Sequence, residues 1–283
     1  MIDVVIIIVS FNTRAHLEAC LQSIHASNSS VHYEIIVVDN ASTDGSVEAV
    51  RLNWPSVRVI EMSENLGYAR ANNIAIRSTN SELILLLNGD TIISEGSIDG
   101  LVQELRANPD TAIVGPRLID ASGKNELSFG HMIGPLNEVR QKLLRLTLAC
   151  NIPLLSNRIT RAVIKRHSPD WVSGACLLVR RSDAESAGLL DERFFLYGED
   201  VDFCASVRQL GRRLLFVPEI EVVHYRGRSG ATTPAATHTA YRRSQLAFYA
   251  KHHPTWLPVL RLYLRLKGSL PEEQKRTSSD RIL

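Results

Sequence analysis

Runs of aliphatic and β-branched residues alternate with segments of helical spacing, and nothing else in this chain limits the fold as tightly. DVVIIIVS (Asp3 to Ser10) is a continuous apolar run ending in a polar turn, and YEIIVVDN (Tyr33 to Asn40) and ELILLLN (Glu82 to Asn88) repeat the pattern. Such runs read as strands buried on both faces. VRVIEMS (Val57 to Ser63) reads as another strand. Between them Leu17, Leu21 and Ile24 recur at helical spacing, and SVEAVRLN and YARANNIAIRST read as helices. A helix near Ser97 to Ala107 then precedes a strand at AIVGPRL. Alternation at this spacing implies βαβ units and a mostly parallel sheet flanked by helices, an α/β fold.

In such sheets ligands bind beyond the carboxyl ends of the strands. Polar groups gather there in this sequence. The first strand runs into Ser10-Phe11-Asn12, the second into Asp39-Asn40, the third into Asn65-Leu66-Gly67 and the fourth into Asn88-Gly89-Asp90. One such end would be an ordinary turn, since Asn, Gly and Asp are turn formers. Four together favour a site. A redox dinucleotide cofactor is not expected, because the first turn, SFNTRAHL, has none of the glycines that admit a pyrophosphate.

The second half is less regular. Residues 131–168 carry seven Lys/Arg against one Glu and read as a basic, amphipathic helical insert. DWVSGACLLVRR then reads as a strand, followed by a helix from Ser182. Glu199, Asp200 and Asp202 open a helix that closes at Gly211, and RLLFVPEIEVVHY holds one or two strands. The net charge of +2 gives no reason to expect nucleic acid as a partner. From Arg242 onward, nine Lys/Arg face three Asp/Glu. The four cysteines, Cys20, Cys150, Cys176 and Cys204, form no CxxC pair, so reduced thiols and a cytoplasmic setting are the default. The N-terminus does not read as a signal peptide, and no apolar run is long enough to span a bilayer.

Several of these residues have a bland reading beside a chemical one. Asp39 either caps the helix entered through NASTDGS or accepts hydrogen bonds from a base or ribose, and Ser42 or Asp44 could do the capping instead. Asp90 suits a divalent cation but needs a second ligand, for which His224 is the candidate. A lone histidine at a strand end is more often structural. The adjacent Glu199 and Asp200 are either dipole-complementing acids or an acid–base pair. Trp171 and Ser173 to Ala175 are either core or an apolar platform for a sugar ring. Between Leu246 and Lys267 an apolar helix started by Pro258, with Arg261 and Arg265 on a basic stripe, either packs on the core or lies in a membrane interface with Trp256 and Tyr263 at headgroup level.

Taken in order, VSFN, VVDNASTDGS, NLGYARANN, LLLNGDT, WVSGACLLVRR, FFLYGEDVDFC and HYRGRS resemble the pattern of glycosyltransferase family 2, and in particular its bacterial rhamnosyltransferase-like members. The likeness covers roughly residues 1–250. It implies a GT-A fold with a nucleotide-sugar-binding half over 1–120, an acceptor-binding and catalytic half over 121–245, and a basic helix and tail over 246–283. It further implies inverting transfer from a nucleotide-diphospho-sugar to a glycan or polyprenyl-diphosphate-linked acceptor in cell-surface polysaccharide synthesis, assisted by Mg²⁺ or Mn²⁺. By matching motif, Ser10, Asn12, Asp39, Asn65 and Arg70 would line the nucleotide pocket. Asp90 falls on the last acid of the family's D-x-D metal motif, and His224 where relatives place a metal- or diphosphate-binding histidine. Gly174 and Ala175 would border the acceptor, with Trp171 beside them. Asp200 matches the catalytic base, with Glu199 as its neighbour. The departure is Asn88, which stands where the first acid of D-x-D belongs. Asp90 and His224 would then need donor oxygens to complete a metal shell, with Asn88 left to the nucleotide-sugar. A lipid-linked acceptor would suit peripheral contact with the anionic inner face of the cell membrane. Two other readings remain: a different nucleotide-dependent transferase, which would want a Gly-rich phosphate loop that is missing, and a non-catalytic carbohydrate-binding scaffold, which would not need the Glu-Asp pair and Asp90.

Overall fold

A computed structural model describes residues 2–126, 128–135, 137, 164–225 and 234–271. Most of the basic insert expected at 131–168, the RGRS of HYRGRS and the tail from 272 lie outside the described residues. Strands β1 (Val4–Ser10), β2 (Tyr33–Asp39), β3 (Arg58–Glu61), β4 (Leu83–Asn88), β5 (Thr91–Ile93), β6 (Thr111–Ile119), β9 (Cys176–Arg180) and β10 (Arg213–His224) form one sheet in the order β3-β2-β1-β4-β9-β6-β10-β5. β7 (Phe129–Gly130) and β8 (Trp171–Val172) form a separate two-stranded ladder. Among the described residues the helices are α1 (Arg14–Ala26), α2 (Ser46–Asn53), α3 (Tyr68–Arg77), α4 (Ser97–Ala107), α5 (Arg181–Ser186), α6 (Glu199–Gln209), α7 (Pro234–His252) and α8 (Leu257–Leu266).

The continuous apolar runs are explained by helices on both faces. Along β1, Val4, Ile6 and Ile8 pack with Leu17, Leu21 and Ile24 of α1 and Leu101 and Leu105 of α4. Val5 and Ile7 point the other way, into a cluster with Ala69, Ala71, Ala75 and Ile76 of α3 and Phe203 of α6. The period of two is intact, but neither face meets water, so no polar alternation is needed.

The sheet is mixed, in two places that the pattern of runs did not reveal. β9 lies antiparallel between β4 and β6, and β5 antiparallel to β10 at the edge. The run WVSGACLLVRR is therefore not one strand. Val172 pairs with Phe129 in the small ladder, whereas Cys176 pairs with Leu87 in the large one, and Ser173 to Ala175 make the step between them. The stretch RLLFVPEIEVVHY is a single strand with its register shifted between Val217 and Glu221. Pro218 sits in that shift, where its missing N–H does not interrupt a ladder.

The C-terminal helices close over α6. Phe248 and Tyr249 of α7 and Leu260 and Leu264 of α8 are buried with Phe194, Val201 and Ala205. Asp202, almost fully buried in α6, holds Lys251 Nζ and His252 Nε2 at 2.7 Å each. Tyr263 also packs on this cluster, so the expectation that it shares an outward face with Trp256 is corrected: Leu260, Tyr263 and Leu264 turn inward together.

Candidate active site

Register alone brings the strand ends together. Ser10 lies opposite Asp39 across β1 and β2, and Val9 opposite Asn88 across β1 and β4. β10 is parallel to β6 and so delivers His224 to the same edge. The antiparallel β9 begins there, with Cys176 opposite Leu87, which carries Ser173 to Ala175 to that edge as well.

The loops after β1, β2 and β3 form one polar wall. Asn12, in a left-handed conformation that asparagine tolerates, accepts Thr43 N–H at 2.8 Å on its amide oxygen. Asp39 is buried. Its Oδ2 accepts Ser42 N–H at 2.8 Å, while Oδ1 has no hydrogen-bond partner. The N-cap of α2 is Gly45, with no side-chain cap; Asp44 braces the turn before it by accepting Ser46 N–H at 3.1 Å, and Asp39 keeps one oxygen unpaired. Asn40, named at the strand end but given no role from the sequence, reaches Leu66 N–H and the Gly67 carbonyl at 3.4 and 3.3 Å. Asn65 accepts Gly67 N–H at 2.9 Å. Ser10 is buried with its hydroxyl 3.1 Å from that of Thr13, so it holds the turn. The half-exposed Arg70 lies 3.9 Å from Glu192.

Asn88, Gly89 and Asp90 prove to be a turn and a candidate site at once. They link β4 to β5, tied by Thr91 Oγ1 donating to the Asn88 carbonyl at 2.7 Å and by Tyr225 N–H donating to the Asp90 carbonyl at 2.9 Å. Asp90 is 3% exposed, and neither of its carboxylate oxygens accepts a hydrogen bond. His224 Nε2 stands 3.3 Å from Asp90 Oδ1 and 3.4 Å from the Asn88 amide nitrogen. Its other nitrogen, Nδ1, is 3.1 Å from Glu126 Oε2. Burial opposes protonation of this ring, but the carboxylates of Asp90 and Glu126 outweigh it, so its pKa is raised. A buried carboxylate with unmet acceptors beside an imidazole nitrogen is a donor set that suits a hard divalent cation. Among the described residues no group of three His, Cys, Asp or Glu side chains is arranged to hold one unaided.

The acid pair sits at the first turn of α6, entered through Gly198 at φ 84°. Asp200 accepts Gly174 N–H at 2.9 Å and Val201 N–H at 2.8 Å. Glu199 is buried, and its Oε2 has no partner. Burial first, then the Asp200 charge, pushes Glu199 up to about 8. Burial raises Asp200 as well, but the two N–H groups stabilise its anion. The two environments therefore differ in kind: the Asp200 anion is stabilised by two backbone N–H groups, whereas Glu199, with no such support, is pushed up to about 8.

The Ser173–Ala175 step joins the two halves of the edge. Asn88 N–H donates to the Ala175 carbonyl at 3.0 Å, and Tyr68 Oη donates to the Gly174 carbonyl at 2.8 Å. At Gly174 a Cβ would lie 3.1 Å from Asp200 Cβ, so glycine lets the backbone N–H reach the carboxylate. Trp171 is engaged elsewhere: Nε1 donates to the His131 carbonyl at 3.0 Å and the ring covers Gly130. The exposed aromatics beside the acid pair are Phe195 and Tyr197, in the loop that leads into Glu199. Glu126, Tyr68 and Asn40 were given no role from the sequence. NLGYARANN and VVDNASTDGS contain the last two, but Glu126 follows a plain turn, DASG, with no motif of its own.

Residues 5–185 match the family model for glycosyl transferase family 2. The chain is 29% identical to the N-acetylglucosaminyl-diphospho-decaprenol L-rhamnosyltransferase of Mycobacterium tuberculosis (strain CDC 1551 / Oshkosh), over 98% of this chain and 97% of that one. It is 25% identical to the rhamnosyltransferase WbbL of Escherichia coli (strain K12), over 78% of this chain and 83% of that one. Among solved structures it is similar to the mannosyltransferase PcManGT of Pyrobaculum calidifontis, solved in complex with GDP-Man and Mn²⁺, at a TM-score of 0.59 and 20% identity, over 94% of this chain and 71% of that one.

Proposed function

The chain belongs to glycosyl transferase family 2 and is a nucleotide-sugar glycosyltransferase with a GT-A fold, and on that premise we propose that it moves rhamnose, with inversion, from a nucleotide-diphospho-sugar to a hydroxyl of a lipid-linked glycan. The observation that supports this reading is the presence, at one sheet edge, of a buried carboxylate oriented by backbone N–H groups, Asp200, and a second whose oxygens accept no hydrogen bond, Asp90. Asp200, charged and oriented by Gly174 N–H, takes the proton of the acceptor hydroxyl as that oxygen attacks the anomeric carbon opposite the diphosphate. One displacement inverts the centre, so no carboxylate nucleophile is required on the other face. Asp39 and Asn12 line the nucleoside side, and Phe195 or Tyr197, rather than the packed Trp171, offers the acceptor ring a face.

Asp90 and His224 would hold Mg²⁺ or Mn²⁺ together with diphosphate oxygens. The ion's chemistry there would be neutralisation of the charge that builds on the leaving nucleoside diphosphate. Turnover of a panel of nucleotide-diphospho-sugars, with a polyprenyl-diphosphate-linked acceptor and a titration of Mn²⁺, tests the whole reading. A rhamnosyl donor is expected to be preferred. In Asp90→Ala and His224→Ala the Mn²⁺ midpoint should rise by at least the about 10–100-fold that losing an outer-shell partner costs. Turnover indifferent to chelator would remove the metal from the mechanism, and a scaffold role would follow from no turnover with any donor.

No helix among the described residues is long and apolar enough to cross a membrane. Peripheral contact with an anionic inner membrane face, from the cytoplasm, is supported by the outward side of α8. Val259, Leu262 and Leu266 are exposed along α8, with exposed Trp256 in the turn just before it, beside exposed Arg261, Arg265 and Lys267. A buried Leu is worth roughly 1.5–3 kcal/mol and a basic group near anionic lipid about 1 kcal/mol, enough together for reversible binding. Deleting α8 would uncover Phe248 and Phe194, so the clean variant is Leu262→Glu/Leu266→Glu. It should lose salt-sensitive sedimentation with anionic liposomes and keep donor hydrolysis. Equal sedimentation of the variant and the unaltered chain would remove this surface from the proposal.

A further inference from the structure

Glu126 has no place in the reaction as described, yet it is buried against the one nitrogen of His224 that faces away from Asp90. It arrives there by a hairpin. The chain leaves β6, turns through Asp120 to Gly123, with Asp120 Oδ1 accepting Ser122 and Lys124 N–H, and returns so that Glu126 N–H bonds to the Leu118 carbonyl at 2.9 Å. The carboxylate is thereby set over the end of β10, 3.1 Å from Nδ1.

An imidazole can ligate a cation only through a nitrogen that carries no proton, and which nitrogen that is depends on the partner of the other. Asp90 alone would draw the ring proton to Nε2 and make it a donor. Glu126 draws it to Nδ1. On the Nε2 side the Asn88 amide nitrogen at 3.4 Å is a donor, which suits an Nε2 lone pair. We propose that Glu126 is a positioning residue for His224: it holds the ring in the Nδ1–H form and at the angle that turns the Nε2 lone pair toward Asp90, where the cation is read to bind. This rests on the metal reading above. The substitution of Asn for the first D-x-D acid gives it added weight, because with one protein carboxylate in the shell the histidine has to be correctly presented.

The test uses the full chain with ¹⁵N-labelled histidine. The neutral His224 ring should show Nδ1 protonated and Nε2 not, assigned by comparison with His224→Ala. In Glu126→Ala the protonated nitrogen should move to Nε2, and the Mn²⁺ affinity of the chain in the presence of a nucleoside diphosphate, followed by the loss of the free Mn²⁺ paramagnetic signal against a protein-free control, should fall about 10–100-fold. Glu126→Gln, whose amide oxygen still accepts from Nδ1, should restore most of both. That rescue separates positioning from a general loss of fold, as does an unchanged thermal melt in Glu126→Gln. An unaltered tautomer in Glu126→Ala, or equal Mn²⁺ affinity of Glu126→Ala and the unaltered chain where that chain does bind Mn²⁺, would overturn the proposal. Should the unaltered chain bind no Mn²⁺ even with the nucleoside diphosphate present, the metal reading falls instead, and the tautomer alone decides what Glu126 does.

Discussion

Asp200→Asn is expected to lower the transfer rate about 10²–10⁴-fold, the contribution of one positioned base, while nucleotide-sugar affinity stays within a few-fold. The amide cannot take a proton, but it keeps an oxygen for Gly174 N–H, so the Ser173–Ala175 step should hold its place. What it loses is the second acceptor, now facing Val201 N–H. That leaves one N–H unmet at a helix start, worth about 1–3 kcal/mol of stability, and a melt will register it separately from turnover. Calorimetry with the donor and a turnover assay decide the case. Undiminished turnover would remove Asp200 from the base role, and lost donor binding would move it to the donor side.

The same pair sets opposite pH trends for rate and stability. Burial holds the folded pKa of both acids above their unfolded values, Glu199 at about 8 against an ordinary 4.5. The native state therefore binds protons that the unfolded chain has released. Stability from Glu199 is full below its unfolded value and is lost as pH rises through about 8. The rate runs the other way, because the base works ionised. Glu199→Gln should flatten the fall in melting temperature expected of the unaltered chain between about pH 4.5 and about pH 8.

Gly67→Ala should be the most damaging small substitution outside the acid pair. Gly67 adopts φ 80° and ψ 176°, a region that is almost restricted to glycine and costs other residues about 1–3 kcal/mol. There is a second penalty. A Cβ would lie 2.5 Å from the Phe195 carbonyl oxygen, which accepts Tyr68 N–H at 3.0 Å. Relief requires the Phe195 loop to move, and that loop runs through Tyr197 and Gly198 into Glu199 and Asp200. Both the melting temperature and the turnover number should therefore fall. Gly96→Ala is the control: it has φ 72° but open space around the new methyl. Equal destabilisation by the two variants would show that backbone conformation alone matters at Gly67 and that the loop is not coupled to α3.

Some of this was legible because it is local. A run such as DVVIIIVS buries itself on both faces wherever it goes, and a polar residue after each strand of a parallel sheet must come out at one edge. Asp39, Asp90, Asp200 and His224 were accessible for that reason, each terminating or opening an element whose type its own neighbours set. Other features depended on partners far along the chain. The SGA step is not visible in WVSGACLLVRR, because the run is broken only by the choice of Val172 for β7 and of Cys176 for β4. The antiparallel β9 is decided by that same choice. Which face of α8 turns inward is settled by Phe194, Val201 and Phe248, not by its own apolar residues, which nearly surround it. Glu126 meets His224 across 98 residues through a hairpin that carries no chemical signature. Local sequence determines what an element is and what stands at its end. Only tertiary packing determines which ends meet, because a single carboxylate or imidazole acquires its charge, tautomer and ligand from neighbours that the chain brings in from elsewhere.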